Sequence, residues 1–325
     1  MATYVRSQEI EQDIGEAGAF SLRVTSPDVE LRAVEGTTAR VQVEFEVRAS
    51  TEAEADELFE RIRFRVRAAD GSLDVSEPKD GGSGIGAIGR MLGLGTARVE
   101  TRVNADIPRG ASIVYAGVSA DLMATGFTGS QEYRTVSGDL VLHDLASDVR
   151  VRGVSSDVSL RADAPLRLEA NTVSGDISAF APRFERARIV TVSGDIELEG
   201  DLAAGGEHRV ETLSGDLSLG AVGGLTLEVR GLSTDVDVSV AHRSEGSRDR
   251  RRYVIGDGAA NLLFSSMSGD VSVRSARRGI PPPPAPPAPP TPLGEDEQIN
   301  VLRALERGEI DVEEATRRLA GGDHA

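Results

Sequence analysis

An all-β fold, a parallel β-solenoid (β-helix) of about 19-residue rungs, is the class this 325-residue sequence predicts. Three observations predict it. First, the pattern apolar-Ser-small-Asp recurs, with its aspartates at Asp121, Asp139, Asp157, Asp176, Asp195, Asp216, Asp235 and Asp270. The intervals between them are 18, 18, 19, 19, 21, 19 and 35 residues. Second, apolar residues alternate after each Asp, as in Leu140/Leu142, Val158/Leu160, Ile196/Leu198 and Val271/Val273. Period-two alternation marks a strand with one buried and one solvated face. Third, aromatic residues make up only 4% and Trp is absent, so the core is aliphatic.

A second alternating stretch follows within many units, as in Val149/Val151, Leu166/Leu168 and Leu225/Leu227/Val229. Two short strands and two turns fit the repeat length. One such unit cannot bury its apolar face alone, but stacked units share a continuous core, each adding about 4.8 Å along the axis. An antiparallel meander or sandwich of tandem hairpins is the alternative. The near-constant interval favours stacking, with the 21- and 35-residue intervals expected as bulges or loop insertions.

The Ser-Gly-Asp corners read as turns, because Gly tolerates positive φ and Ser and Asp side chains bond nearby backbone N–H groups. In a stack, the Ser hydroxyls can also bond from rung to rung. The competing reading is a cation ladder, in which stacked carboxylates hold Ca²⁺. Calcium-binding β-rolls use shorter, glycine-rich nonapeptide repeats, so no metal site is assigned.

Residues 1–19 are expected as an N-terminal tail. Residues 20–112 are expected as a β cap protecting the open end of the solenoid. Within the cap, 21–34, 40–47, 62–66 and 73–75 alternate as strands. Thr51 with Glu54 is a capping-box signature that opens a short helix to about Arg61. The glycine-rich stretch 78–95 contains Gly84-Ile85-Gly86-Ala87-Ile88-Gly89, which matches a dinucleotide pattern. That mechanism needs a βαβ frame, and the surroundings here are β-repeats, so a loop is expected. A short apolar helix at 85–94 touching a partner or membrane is the alternative. The solenoid repeats are assigned to 113–279.

Residues 280–294 form a linker whose 280–292 portion holds nine prolines, an extended polyproline II spacer. Residues 295–325 are expected as a small helical hairpin. Ile299, Leu302 and Leu305 make one apolar stripe, Gly308 breaks it, and Asp311 with Glu314 caps a second helix bearing Val312 and Leu319. So short a module is expected to pair with a copy of itself, dock on the solenoid or bind a protein partner.

The Thr-Val-Ser-Gly-Asp series, the preceding Asp106-Ile107-Pro108-Arg109-Gly110-Ala111-Ser112 and the closing Gly256-Asp257-Gly258 to Asp270 together resemble the bacterial putative-adhesin family (domain of unknown function 4097). The resemblance covers about Phe20 to Arg274. It implies adhesion by name and, for some relatives, an association with cell-envelope stress; it carries over no catalytic residue. Leu302-Arg303-Ala304-Leu305-Glu306-Arg307-Gly308-Glu309-Ile310 with Glu313-Glu314-Ala315 resembles the SHOCT-like helical modules of bacterial proteins.

The charge of −17 argues against nucleic acid. The absence of Cys excludes disulfides, thiolate metal sites and Cys nucleophiles. His143, His208, His242 and His324 are the only histidines and show no metal-ligand spacing. No cofactor and no catalytic residue is expected. The polar start lacks an apolar leader and no window approaches 18 apolar residues, so a cytoplasmic protein is expected, with peripheral membrane contact allowed. The functional expectation is a non-enzymatic scaffold or sensor linked to the bacterial envelope. An exported surface adhesin is the alternative, followed by a polymerising skeleton protein and, remotely, a polysaccharide-active enzyme.

Overall fold

The structure, a computed structural model, describes residues 2–78, 99–221, 223–247 and 250–276. Residues 79–95 of the glycine-rich stretch, the proline linker, the helical module and its Ile299, Leu302, Leu305, Val312 and Leu319 lie outside the described residues.

The chain is a parallel β-solenoid whose rungs each contribute a strand to two facing sheets. The repeats form β8 (Ser112–Ser119), β9 (Leu122–Thr125), β10 (Gln131–Ser137), β11 (Leu140–Arg152), β12 (Val158–Asn171), β13 (Ile177–Val190), β14 (Ile196–Leu202), β15 (His208–Glu211) and β16 (Leu217–Ala221). β11, β12 and β13 turn a corner midway, so each begins in the first sheet and ends in the second. In the first sheet β9, the starts of β11, β12 and β13, then β14 and β16 pair in parallel. In the second sheet the order is β8, β10, the ends of β11, β12 and β13, then β15. Every pairing between these rungs is parallel, which sets aside the antiparallel meander.

Alternation decides what lies between the sheets. Leu140, Leu142, Val158, Leu160, Ile177, Ile196, Leu198, Leu217 and Leu219 face inward from the first sheet. Tyr115, Tyr133, Val151, Leu168, Ile189 and Val210 face them from the second, all nearly inaccessible. Each rung covers the apolar edge of the one before it, which is how a short repeat acquires a core.

Both ends depart from sequence order. At the start, β2 (Ala19–Arg23) and β3 (Asp28–Val34) form a rung that stacks on β8 and β9. The chain then makes β4 (Thr38–Ala49), helix α1 (Glu52–Ile62), β5 (Arg65–Ala69), β6 (Ser72–Ser76) and β7 (Val99–Pro108). β6 and β7 pair in parallel with the outer edges of β2 and β3, so a later segment forms the outermost rung. The stack therefore begins well before residue 113.

The far end repeats the device. β17 (Leu225–Ser233) and β18 (Val236–Val238) are followed by the hairpin β19 (His242–Ser247) and β20 (Arg250–Ile255), then β21 (Ala260–Ser268) and β22 (Val271–Ser275). β21 pairs with β15 on one side and β17 on the other, and β22 with β16 and β18. The last rung in sequence is thus inserted between two earlier ones. This corrects the reading of the 35-residue interval as a loop insertion: it holds a hairpin and a reversal of stacking order. The 21-residue interval does hold extra residues, 203–207, between β14 and β15.

The segment expected as an N-terminal tail is also corrected. β1 (Ala2–Asp13) pairs antiparallel with all of β4, which pairs antiparallel with β7 and closes the first sheet. Gln8 is buried, and its amide donates to the Phe64 carbonyl (3.0 Å) and accepts from the Phe64 N–H (2.9 Å). α1 opens at Thr51, whose hydroxyl accepts from the Glu54 N–H at 3.3 Å, while the Glu54 carboxylate accepts from the Ser50 N–H at 2.9 Å. Ala55, Leu58, Phe59 and Ile62 form its buried face.

Candidate interaction surface

The repeat corner is built from four successive residues with four different jobs. The Asp comes last and bridges rungs. The backbone N–H of Asp139 donates to Oδ1 of Asp121 (2.9 Å), that of Asp157 to Asp139 (3.4 Å), Asp176 to Asp157 (2.8 Å), Asp195 to Asp176 (2.8 Å) and Asp216 to Asp195 (3.0 Å). The ladder then follows spatial order: Asp270 donates to Asp216 (2.8 Å) and Asp235 to Asp270 (2.9 Å). All eight aspartates named from the sequence are brought into one exposed column. One oxygen of seven of them completes the backbone of the next rung, satisfying an N–H that the corner takes out of the sheet ladder. No group of three or more His, Asp or Glu is arranged to hold a metal ion among the described residues.

The Ser hydroxyls link neighbours too: Ser137 to Ser119 at 3.2 Å and Ser174 to Ser155 at 3.3 Å. The small residue between Ser and Asp is set by space and dihedral angle. Gly175 has φ of +114°, and a Cβ there would lie 2.1 Å from the Ser156 carbonyl oxygen.

Three copies lack this glycine, and each compensates three residues earlier. Thr135, Thr172, Thr191 and Thr212 precede corners with Gly138, Gly175, Gly194 and Gly215. Gly117, Gly153 and Gly231 precede corners with Ala120, Ser156 and Thr234. A Cβ on Gly153 would sit 2.4 Å from Ser156 Oγ, and one on Gly231 would sit 2.1 Å from Thr234 Oγ1. At these two rungs the corner interior admits one side chain, supplied from either position, whereas beside Gly117 the space is taken by the Tyr115 hydroxyl.

The residue before Ser does something the alternation makes unavoidable. Tyr133 and Thr135 point inward, so Val136 points out. The same parity exposes Val118 (44%), Val136 (48%), Val154 (44%), Val173 (48%), Val192 (44%), Leu213 (47%), Met267 (53%) and Leu232 (85%). Read in stacking order these form one straight column, one side chain per rung. Ladder bonds fix the stacking: the N–H groups of Ser155, Ser174, Ser193 and Ser214 donate to the carbonyls of Val136, Val154, Val173 and Val192 at 2.8–3.0 Å. At about 4.8 Å per rung the column is about 35 Å long. The Asp column lies on one side. On the other, two residues upstream, are the exposed Arg134, Arg152 and Arg230 with Ala116, Asn171, Val190, Glu211 and Ser265.

The motif alone marks these residues as apolar and assigns them no face. Their odd offset from the buried Tyr133, Val151 and Ile189 was the available signal.

The perturbed titratable groups are not members of the Asp column itself, although the Tyr115 hydroxyl donates to the corner carbonyl of Ala120 at 3.3 Å. Burial raises the Tyr133 phenol well above its ordinary range, and burial with the Asp121 charge does the same to Tyr115. Burial depresses His208, whose Nε2–H donates to the Ala203 carbonyl at 3.0 Å, against the opposing pull of that bond, Glu185 and Asp201. Tyr115, Tyr133 and His208 pack inside the rungs, while Asp144 is raised at the surface by partial desolvation and by its hydrogen bond to Asp163.

Residues 128–274 match the family model described as Toastrack DUF4097. Among solved structures, similarity extends to a putative lipid binding protein from Parabacteroides distasonis (12% identity, 82% of this chain and 97% of that chain, TM-score 0.34). A putative adhesin from the same species gives 14% identity over 83% and 97% of the two chains, with a TM-score of 0.32. A putative adhesin from Bacteroides fragilis gives 10% identity over 83% and 97%, with a TM-score of 0.29. No curated protein matches the chain. No helix among the described residues is long and apolar enough to cross a membrane.

Proposed function

We propose that this chain, with a Toastrack match over 128–274, is a non-enzymatic interaction protein: a β-solenoid scaffold that presents a continuous aliphatic column to a protein partner. The observation that carries the reading is the column itself. Eight large apolar side chains stand about half exposed or more in register, on a rung whose Ser and Asp groups are already engaged in holding the stack. Single exposed apolar residues are ordinary, but a contiguous patch of this length marks a contact surface.

The proposal includes the C-terminal segment. Ile299, Leu302, Leu305, Val312 and Leu319 have the spacing of a second association element, similar to SHOCT-like modules, joined through the proline linker. A scaffold at the bacterial envelope is the setting this reading favours.

The test shortens the chain after Gly279. Sedimentation should show a smaller assembly, with the β-sheet circular dichroism retained. An unchanged mass removes the C-terminal segment from the proposal. Fractionation of native cells then places the scaffold: recovery from the cytosol or inner membrane face supports it, and recovery outside the cell favours an adhesin.

A further inference from the structure

We propose that the aliphatic column is a self-association surface, occupied by the same column of a second copy with the two stacks parallel. The inference rests on reading the chain as an interaction protein and names the partner.

Three features of the column select a second copy. The first is pitch. An apolar row with one side chain every rung, about 4.8 Å apart, is matched along its length by another row of identical spacing. The second is extent. The aliphatic column with one flanking column on each side covers on the order of 700 Å², taking three columns about 6.6 Å apart over about 35 Å. That is close to the roughly 800 Å² per partner of a stable protein interface.

The third is charge, and it sets the orientation. One flank carries eight aspartates in a row. The other carries Arg134, Arg152 and Arg230, which pair with Glu132 and Glu228 of the same chain, then four neutral residues and a single acid, Glu211, so this flank is close to neutral beside the Asp column. A two-fold axis running along the stack lays Val on Val and exchanges the flanks, so each Asp column faces the arginine-bearing flank of the other copy. A two-fold axis across the stack would instead set Asp column against Asp column, eight like charges opposite eight. The same acidic column, in a chain of net charge −17, disfavours an anionic surface as occupant.

In the parallel pair every position on the column meets its own counterpart. The chain contains no cysteine, so a single introduced thiol reports this without interference. The full-length variants Val136→Cys, Val173→Cys and Met267→Cys are oxidised separately and resolved without reductant. The expected result is a disulfide-linked dimer from all three. Cross-linking at Val173 alone, near the middle, indicates antiparallel stacks and overturns the orientation. Cross-linking at none overturns the proposal.

Sedimentation of the unlinked full chain supplies the second measurement. Wild type should run at about four times 34.3 kDa, two column dimers joined through the C-terminal segments, and Val154→Glu/Val192→Glu should halve the mass with unchanged β-sheet dichroism. Both substituted positions are about half exposed and lie two rungs apart, so the core is untouched and the new charges do not stack directly. A wild-type monomer, or an assembly the double variant leaves intact, overturns the proposal. If that monomer floats with phosphatidylcholine vesicles, the column's occupant is a lipid surface. If it does neither but still forms covalent adducts from position 173 in cells, the interaction reading survives with a different partner.

Discussion

Seven of the eight corner aspartates offer an acceptor to the next rung and all carry a charge that repels their neighbours, and the two contributions can be separated by substitution. Asp176→Asn keeps an oxygen in place for the Asp195 N–H and removes one charge from the column. Asp176→Ala removes the acceptor. The expected outcome is Asn equal to or slightly more stable than wild type, and Ala less stable by about 1–2 kcal/mol, the cost of an unmet backbone donor. Thermal melts of the two variants check it. A cation ladder would give the opposite order for Asn, with loss of a calcium-dependent shift in melting temperature.

The exchange of side chain between Gly153 and Ser156 gives a sharper test of corner packing. Gly153→Thr alone should cost about 1–3 kcal/mol by overpacking against Ser156. Adding Ser156→Gly, which recreates the Thr-Val-Ser-Gly-Asp corner found at 172–176, should recover most of that loss. Additive losses in denaturant melts would show that the two positions do not share one space.

Among the elements, the repeat strands were readable because their apolar residues keep strict parity with the corner Asp. Leu140/Leu142 and Ile196/Leu198 need no tertiary information to be placed inward. β1 was not readable as a strand because its inward positions include Arg6 and Gln8. Arg6 lies over the Phe59 ring at 5.5 Å and pairs with Glu52 and Asp56, and Gln8 bonds Phe64. Those partners sit more than forty residues away, so nothing local marks the segment as half buried. The stacking order at the far end was hidden for a different reason. Leu232-Ser233-Thr234-Asp235 and Met267-Ser268-Gly269-Asp270 carry the same motif, and a motif does not say which copy it stacks on.

The inserted rung makes an element-level prediction about truncation. A chain ended at Ala221 retains a stack closed by β15 and β16. A chain ended at Asp257 keeps β17 to β20 but lacks β21 and β22, the strands that join β17 and β18 to the rest. Residues 223–257 of the longer chain should be cut rapidly by protease, leaving a core like that of the shorter chain. Equal protection across 223–257 would mean that β17 stacks directly on β15.

For the whole molecule, two surfaces of one rung should behave differently. Val173 belongs to the aliphatic column, while Ser178, five residues on, faces outward from the first sheet. The column was latent in the sequence: every copy of the motif places an aliphatic residue before Ser, on the side opposite the core. What the sequence lacked was the stacking that turns eight separate side chains into one continuous surface. The measurement that tests the central claim most directly is photo-crosslinking in native cells, with a photoreactive residue placed at position 173 or at position 178. The account predicts a discrete covalent protein adduct from position 173 and none from position 178. No adduct from 173, or equal labelling from both positions, would contradict the reading of the column as the molecule's contact surface.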